Sequence, residues 1–419
     1  MITETVVLKG HIIDSLVFAK VLDIIIQIGG TFDISRIDVG KNREDLTVAK
    51  ISIHAKSSSL LEKILQAVQP HGAVLANISD CTTMISLQDG ILPDLFYPTS
   101  NLPTQVRLKG QWVDVKSIEM DLAIRVQFTP PKAMAIPMAS VKKGDRIVTG
   151  KDGIHVFSLE RPKVHDVFSF MRSQTSSERP HKHVITGIAN RIRMILENRK
   201  KELAQNNASL NNNIGTKVLF VGGPAIIHSG GRDTLSWLIE NGFIHVFFSG
   251  NALPAHDMEA SLFGTSLGFG LSSGYIAPHG HENHLHTINK VRGLGSIKQA
   301  VESGIIKDGV MASCIRQKVD MVLAGSIRDD GPLPDIITDT MKSQAAMRAA
   351  LIDVGLVLMV ATSLHSIATG NCLPAKIPSV CVDINPSVPT KLSDRGSFQA
   401  IGLVMDSSSI LNELARELN

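Results

Sequence analysis

Lys217-Val218-Leu219-Phe220-Val221-Gly222-Gly223-Pro224 is the stretch on which the reading of this chain turns. A mostly apolar run of strand length enters two glycines and a proline, so a buried strand must end in a turn with bare backbone. The same grammar recurs downstream. A second glycine pair, Gly230-Gly231, precedes a predicted helix over 233–241, which Gly242 ends. Residues 243–248 read as a strand running into Ser249-Gly250-Asn251-Ala252. Residues 321–323 run into Gly325-Ser326, 355–360 into Ala361-Thr362-Ser363, and 379–382 into Asp383-Ile384-Asn385-Pro386, with 400–404 the last strand.

Apolar strands alternating with helices predict a parallel sheet covered on both faces, a Rossmann-like α/β domain over 216–419. Small and polar residues recur just past the carboxyl ends of its strands, the edge where such sheets bind ligands. Gly222 and Gly223 would let the backbone approach a pyrophosphate, and helix N-termini there supply N–H donors. Asp383 can accept hydrogen bonds from ribose hydroxyls, which favours NAD over a phosphorylated ribose. Thr362, Ser363 and His365 add hydroxyl and imidazole groups at the neighbouring strand end. Neither a strict GxGxxG nor a P-loop is present, so a standard dehydrogenase fingerprint is excluded.

Upstream, residues 1–82 read as a βαββαβ unit of the ferredoxin-like α+β plan, with helices predicted over 15–28 and 58–69. Residues 83–165 carry short β-type runs between Gly, Pro and Asp-Gly turns, a small β-domain. A helical segment with Ile185, Ile188, Ile192 and Ile195 on one period follows, then the Asn-rich linker 205–213, so that 166–215 joins the two halves.

Composition narrows the class. Lys plus Arg number 42 against 39 Asp plus Glu, a net charge of +3 scattered along the chain, which leaves no footprint for nucleic acid or an anionic membrane. No apolar run approaches the roughly 18 residues of a membrane-spanning helix, and no basic-then-apolar leader opens the chain. Cys81, Cys314, Cys372 and Cys381 lie far apart without zinc-ligand spacing. Free thiols and a cytoplasmic setting are the expectation. Cys314, within Met311-Ala312-Ser313-Cys314-Ile315, suits a packed helix rather than a nucleophile.

Three further runs are distinctive: residues 324–335 (Ala-Gly-Ser-Ile-Arg-Asp-Asp-Gly-Pro-Leu-Pro-Asp), residues 364–371 (Leu-His-Ser-Ile-Ala-Thr-Gly-Asn), and Val382-Asp383-Ile384-Asn385-Pro386. With 10–15 (Gly-His-Ile-Ile-Asp-Ser), Thr99-Ser100-Asn101 and Glu119-Met120-Asp121, they resemble the family named for a conserved region of lysine-oxoglutarate reductase/saccharopine dehydrogenase. Its archaeal members are ornithine cyclodeaminases, and a similar domain forms the C-terminal part of cyanobacterial arginine-guanidine-removing enzymes. The resemblance spans essentially the whole chain. It implies a sirtuin/deoxyhypusine-synthase type of NAD-binding fold and conversion of L-ornithine to L-proline and ammonia with recycled NAD. By position it implies cofactor contacts at Asn251, Ala252, Asp330, Thr362, Ser363, Leu364, His365, Asp383, Leu403 and Val404.

That reaction needs a hydride acceptor, proton transfer and a clamp for the substrate carboxylate. NAD would take hydride to give an imine, the δ-amine would attack, ammonia would leave, and hydride would return to the ring. Arg328 is the clamp candidate, and His256 and Asp257 are the acid/base candidates. Asn101, Glu119 and Asp121 could contribute from the N-terminal half. The histidine-rich loop His279, His281, His284, His286 is read as solvated or near the nucleotide, with no metal. An amino-acid sensor without turnover, saccharopine-type redox chemistry and nicotinamide cleavage stay open alternatives. A homo-oligomer, dimer or tetramer, is expected from the ferredoxin-like unit.

Overall fold

The computed structural model of the chain describes residues 2–10, 12–13, 16–40, 45–76, 79–157, 181–204, 215–270, 280–329, 331–394 and 400–419. They form two compact units: Met1–His165 with Leu373–Lys376, and Asp166–Cys372 with Ile377–Asn419.

The first unit opens with β1 (Ile2–Gly10), α1 (Val17–Ile28), β2 (Thr31–Asp38), β3 (Thr47–Ala55), α2 (Ser58–Val68) and a two-residue β4 (Val74–Leu75). Gly29, at φ 96°, closes α1, and the Ser57 hydroxyl accepts from Leu60 N to start α2. The sheet order β2-β3-β1-β4 is antiparallel at every pairing, the ferredoxin-like arrangement. Its core joins Val6, Leu8, Ile51 and Ile53 to Val21, Ile25 and Ile64 of the two helices.

The β-rich part follows: β5 (Thr82–Ile85), β6 (Thr104–Leu108), β7 (Gln111–Lys116), β8 (Ala123–Phe128), β9 (Pro131–Ile136), β10 (Arg146–Thr149) and β11 (Ile154–Val156). They make a seven-stranded sheet in the order β11-β6-β7-β9-β8-β10-β5. Asn101 and Glu119 are buried in this unit, where Thr99 Oγ1 donates to the Glu119 carbonyl at 2.6 Å; Asp121 is exposed at φ 61°.

The second unit begins with α3 (His181–Ala204), β12 (Lys217–Gly222), α4 (Ala225–His228), α5 (Arg232–Glu240), β13 (Val246–Ser249) and α6 (Ala252–Phe263). A small hairpin of β14 (Thr265–Ser266) and β15 (Phe269–Gly270) leads to α7 (Asn283–Leu294), α8 (Ile297–Glu302) and α9 (Val310–Arg316). Then come β16 (Asp320–Leu323), α10 (Thr340–Ala350), β17 (Val354–Val360), α11 (Leu364–Cys372), β18 (Ser379–Asp383), α12 (Ser387–Asp394), β19 (Ala400–Val404) and α13 (Ser407–Leu418). The six long strands pair in parallel in the order β16-β13-β12-β17-β18-β19. All seven residues of β17 are buried, so both faces of the sheet are covered, as its unbroken apolar sequence requires.

Two elements depart from the periodicity. β13 starts at Val246 because Gly242, at φ 73°, turns the chain back onto α5, with Phe243 N donating to Leu238 O at 3.0 Å and Gly242 N to Ile239 O at 2.9 Å, as in a helix cap. Phe243 then packs on Trp237, ring centroids 5.7 Å apart, rather than entering the sheet. Residues 252–263, which carry no clear helical period, form α6, with every residue from Leu253 to Ala260 buried. A helix enclosed on all sides has no amphipathic signature.

A buried ion pair fixes α6. Asp257, wholly buried, takes Arg232 Nε at 2.8 Å and Val310 N at 2.9 Å on Oδ1, and Met311 N at 2.8 Å on Oδ2. Arg232 also reaches Asp308 at 2.6 Å. Burial pulls the Arg232 guanidinium down, but the carboxylates of Asp257 and Asp308 outweigh it and hold its pKa above the ordinary value. Burial pushes the Asp257 carboxyl up, and the three donors around it oppose that. Gly309, at φ 97°, belongs to the same construction: a Cβ there would lie 2.2 Å from Arg232 Nη2 and 2.4 Å from Asp257 Oδ1.

Asp257→Ala strands a buried guanidinium, and it should cost about 3–5 kcal/mol in a denaturant titration; a loss under about 1 kcal/mol would refute the anchoring role. A second expectation concerns pH. His245 Nδ1 accepts from Val218 N at 3.2 Å, and burial, then Arg199 and Lys217, lower its pKa to about 4. The unfolded chain therefore binds this proton first, so stability present above about pH 6.5 is lost as pH falls toward 4. Thermal melts between pH 7 and 4.5 should show a shallower decline in His245→Asn than in the parent; parallel declines would remove His245 as a contributor.

Candidate active site

Numbered by its own succession, the parallel sheet runs 3-2-1-4-5-6, and its order reverses between β12 and β17. A crevice opens at such a reversal, on the carboxyl edge. Gly222 and Gly223 end one bordering strand, and Ala361-Thr362-Ser363 follow the other. The glycines are there because nothing larger fits. A Cβ on Gly223 would lie 1.7 Å from the Ala361 carbonyl oxygen and 3.0 Å from Thr362 Cβ; one on Gly222 would lie 2.9 Å from Leu253 Cδ1. Ser249 Oγ donates to the Gly222 carbonyl at 2.9 Å, drawing the β13 end to the same place.

Three loops are tied together beside this crevice. Asn251 caps β13 and leads into α6, and its side chain is buried: Nδ2 donates to Gly331 O at 3.1 Å and Oδ1 accepts from Leu333 N at 3.0 Å. Its amide therefore positions the segment after β16, while Ala252 opens α6 with N-terminal N–H groups on this edge. His365 sits one residue into α11, and its Nε2 donates to the Ala324 carbonyl at 3.1 Å. Burial lowers the His365 pKa, with the Ala324 bond and Asp329 acting in the opposite sense. Nδ1 of this neutral ring is left as an acceptor. Gly250 lies under the same ring, 2.9 Å from His365 Cε1 once a Cβ is placed on it.

The remaining strand-end residues are more open. Ser363 and Leu364 are exposed, and Leu364 starts α11. Asp383 Oδ1 accepts from Asn385 N at 2.8 Å, so one oxygen shapes the turn. Asp383 is also the register partner of Val404, which follows the buried Leu403 at the end of β19. Asp330 lies outside the described residues. Arg328 is exposed in the turn that Ser326 and Asp329 close, with Asp329 Oδ2 accepting from Ser326 N at 2.8 Å.

The two acid/base candidates part company. Asp257 is enclosed by Arg232 and α9 with both oxygens engaged, a structural setting. His256, its neighbour, turns to a different set of partners. Its Nδ1 lies 2.8 Å from Glu259 Oε2, one helical turn on. Glu259 is wholly buried and accepts from Thr265 Oγ1 at 2.8 Å on its other oxygen. Asn283 Nδ2 donates to Thr265 Oγ1 at 2.9 Å. The rings of His228 and His284 approach His256 with centroid separations of 4.9 and 5.9 Å. His228 ends α4 and His256 lies in the second turn of α6, so both stand on the carboxyl edge of the sheet, after β12 and β13.

Sequence reasoning singles out His256 but not Glu259, Thr265, Asn283 and His228, which surround it. The available signal is the His-x-x-Glu spacing, which puts both side chains on one face of a helix, but residues 252–263 show no helical period by which to recognise one. Of the histidine-rich loop, His284 and His286 fall on α7; His279 and the side chain of His281 lie outside the described residues. Among the described residues, no three His, Cys, Asp or Glu side chains are grouped to hold a metal ion, and no helix is long and apolar enough to cross a membrane. All four cysteines are buried free thiols.

Comparison with known proteins gives matches along the chain. Residues 3–102 match the LOR/SDH bifunctional enzyme conserved region, 103–185 the first region of the arginine dihydrolase ArgZ-like C-terminal part, and 201–414 its Rossmann-fold region. The ornithine cyclodeaminase of Methanopyrus kandleri is 45% identical over 416 residues, 99% of this chain and 97% of the relative. The apo structure of ArgZ, an arginine dihydrolase from the ornithine-ammonia cycle in cyanobacteria, has a TM-score of 0.82 at 33% identity, covering 100% of this chain and 58% of that one. A ternary complex of AgrE with ornithine and NAD+ is 36% identical, with a TM-score of 0.52, covering 100% of this chain and 57% of that one. The chain belongs to the family in which the LOR/SDH conserved region precedes the ArgZ-like Rossmann-fold region, the family of the Methanopyrus kandleri ornithine cyclodeaminase.

Proposed function

We infer that this protein is an NAD-dependent ornithine cyclodeaminase, converting L-ornithine to L-proline and ammonia. Full-length similarity to archaeal ornithine cyclodeaminases supports the activity. The structural observation that carries it is the close approach of the Gly222-Gly223 backbone to the Ala361-Thr362 loop at the reversal of strand order, with no room for a side chain between them. The Gly223 N–H is spent on the Val360 carbonyl at 3.0 Å, so the donors that fit a pyrophosphate are the helix N-terminal N–H groups beside this close approach.

Bound NAD supplies a hydride acceptor that is restored within each turnover, so no net NADH accumulates. The chain's residues hold and enclose it. The first turns of α6 and α11 direct N–H donors and positive dipole ends to the crevice. Thr362 and Ser363 add hydroxyls, Asp383 retains an oxygen for ribose hydroxyls, and His365 Nδ1 is an acceptor beside them. Leu364 and Val404 give apolar surface at the same strand ends, and Arg328 comes from the segment that Asn251 positions. Arg328, exposed and planar, suits a bidentate clamp on the substrate carboxylate. Among the candidates His256 is the proton-transfer group, since Asp257 is wholly enclosed. The cytoplasm is the setting we assign, and a homo-oligomer the working state; light scattering returning a monomer mass would remove the latter.

Purified protein incubated with L-ornithine and sub-stoichiometric NAD should form proline and ammonia in equal amounts without net NADH. No proline, with NAD still bound, would overturn the reading. Gly223→Ala should weaken NAD binding at least tenfold, about 1.4 kcal/mol, in a calorimetric titration; undiminished affinity would remove the crevice as the pyrophosphate site.

A further inference from the structure

We propose that Glu259 is the positioning residue of the reaction, holding His256 in one tautomer so that its Nε2 carries the proton between the two substrate nitrogens. The proposal rests on the cyclodeaminase reading and on the assignment of His256 to proton transfer.

The argument follows the hydrogens. Asn283 Nδ2, which can only donate, occupies a lone pair of Thr265 Oγ1 at 2.9 Å. The Thr265 hydroxyl hydrogen is then directed at Glu259 Oε1, 2.8 Å away. The second oxygen, Oε2, stands 2.8 Å from His256 Nδ1. A carboxylate accepts, so Nδ1 must hold the hydrogen, and the lone pair of the neutral ring is on Nε2. The inner part of this chain is dry: Glu259 is wholly buried, and Thr265 and His256 are under one-tenth exposed, while Asn283 is half-buried. A fully connected polar chain in such surroundings costs little to keep and much to break.

The groups facing His256 leave it as the site of exchange. Glu259 comes from its own helix, His228 from α4 and His284 from α7. His228 Nδ1 is engaged by Ser266 Oγ at 2.7 Å. Burial, then the adjacent His256, lowers the His228 pKa to about 4, with Glu259 acting in the opposite sense. That neighbour therefore stays neutral at working pH and does not compete for the proton.

The chemistry balances without a further reagent. After the α-carbon has become an imine, the δ-ammonium must lose a proton before its nitrogen can attack. The departing α-nitrogen must gain one before its bond to carbon breaks. His256 Nε2 takes the proton of the δ-ammonium and gives it to the α-nitrogen. It then takes the second proton from the ring nitrogen as ammonia leaves and returns it to the proline nitrogen once hydride has come back. The imidazole ends as it began, and the proton shed by the α-ammonium before oxidation departs with ammonia as ammonium.

Glu259→Gln tests this, because Thr265 would still donate to the amide oxygen, turning the amide N–H toward Nδ1 and forcing the hydrogen to Nε2. We expect kcat to fall about 100-fold, in the range of general acid–base catalysis. The KM for ornithine and the affinity for NAD should hold within about threefold, and the acidic limb of the kcat profile should move to lower pH. Unchanged kcat with the parental pH profile, or a loss confined to KM, would overturn the proposal. Should the variant fail to fold, nitrogen-15 NMR of the parent holoenzyme reads the same point: His256 with its hydrogen on Nδ1 is expected, and hydrogen on Nε2 would refute it. Absence of proline from the parent would instead defeat the cyclodeaminase reading, which the variant comparison leaves distinct.

Discussion

The second unit depends on one buried carboxylate. Asp257 holds Arg232 of α5 and caps α9 through Val310 and Met311, so three helices share a single charge centre. Such a pair is costly to desolvate, and well-packed apolar residues could stabilise a fold equally well. What the pair adds is position. α6 is enclosed on every side and could rotate among similar apolar contacts, whereas an ion pair with two amide bonds admits one orientation. That orientation presents the next residue, His256, to Glu259 and the hairpin beyond.

Anchor and reactive group are thus adjacent in sequence and about 100° apart around the helix. The anchor faces α5 and α9; the imidazole faces Glu259, His228 and His284. Two acid/base candidates that look equivalent in a linear reading acquire opposite roles through this turn. The buried polar groups on both sides of α6 are satisfied, which is what a dry interior demands.

The crevice has a different origin. It arises from topology, because the first strand has β13 on one side and β17 on the other, and the loops leaving β12 and β17 diverge. Gly223 lets those loops come within contact of the Ala361 carbonyl before they part. Asn251, through one carbonyl and one amide, and His365, through one carbonyl, then tie the β16 loop to its neighbours. The result is a rim of backbone groups braced by side chains that point along the edge.

Much of this was legible in the sequence. Buried strands entering glycine and small polar residues can lie only in a covered parallel sheet, and the βαββαβ order of the first residues can close only a few ways. Gly222, Gly223, Thr362, Ser363, His365 and Asp383 could be picked as strand-end residues from that grammar alone, since strand ends are local features. The order of strands, and hence which of these ends border the crevice, was decided by tertiary structure, because parallel pairing joins residues over a hundred positions apart, as Gly222 is to Val360. Glu259 and the ion pair of Asp257 were hidden for the same reason. A helix buried all round shows no period, and a carboxylate's partner is set by which chain segments meet in space, not by its neighbours in sequence.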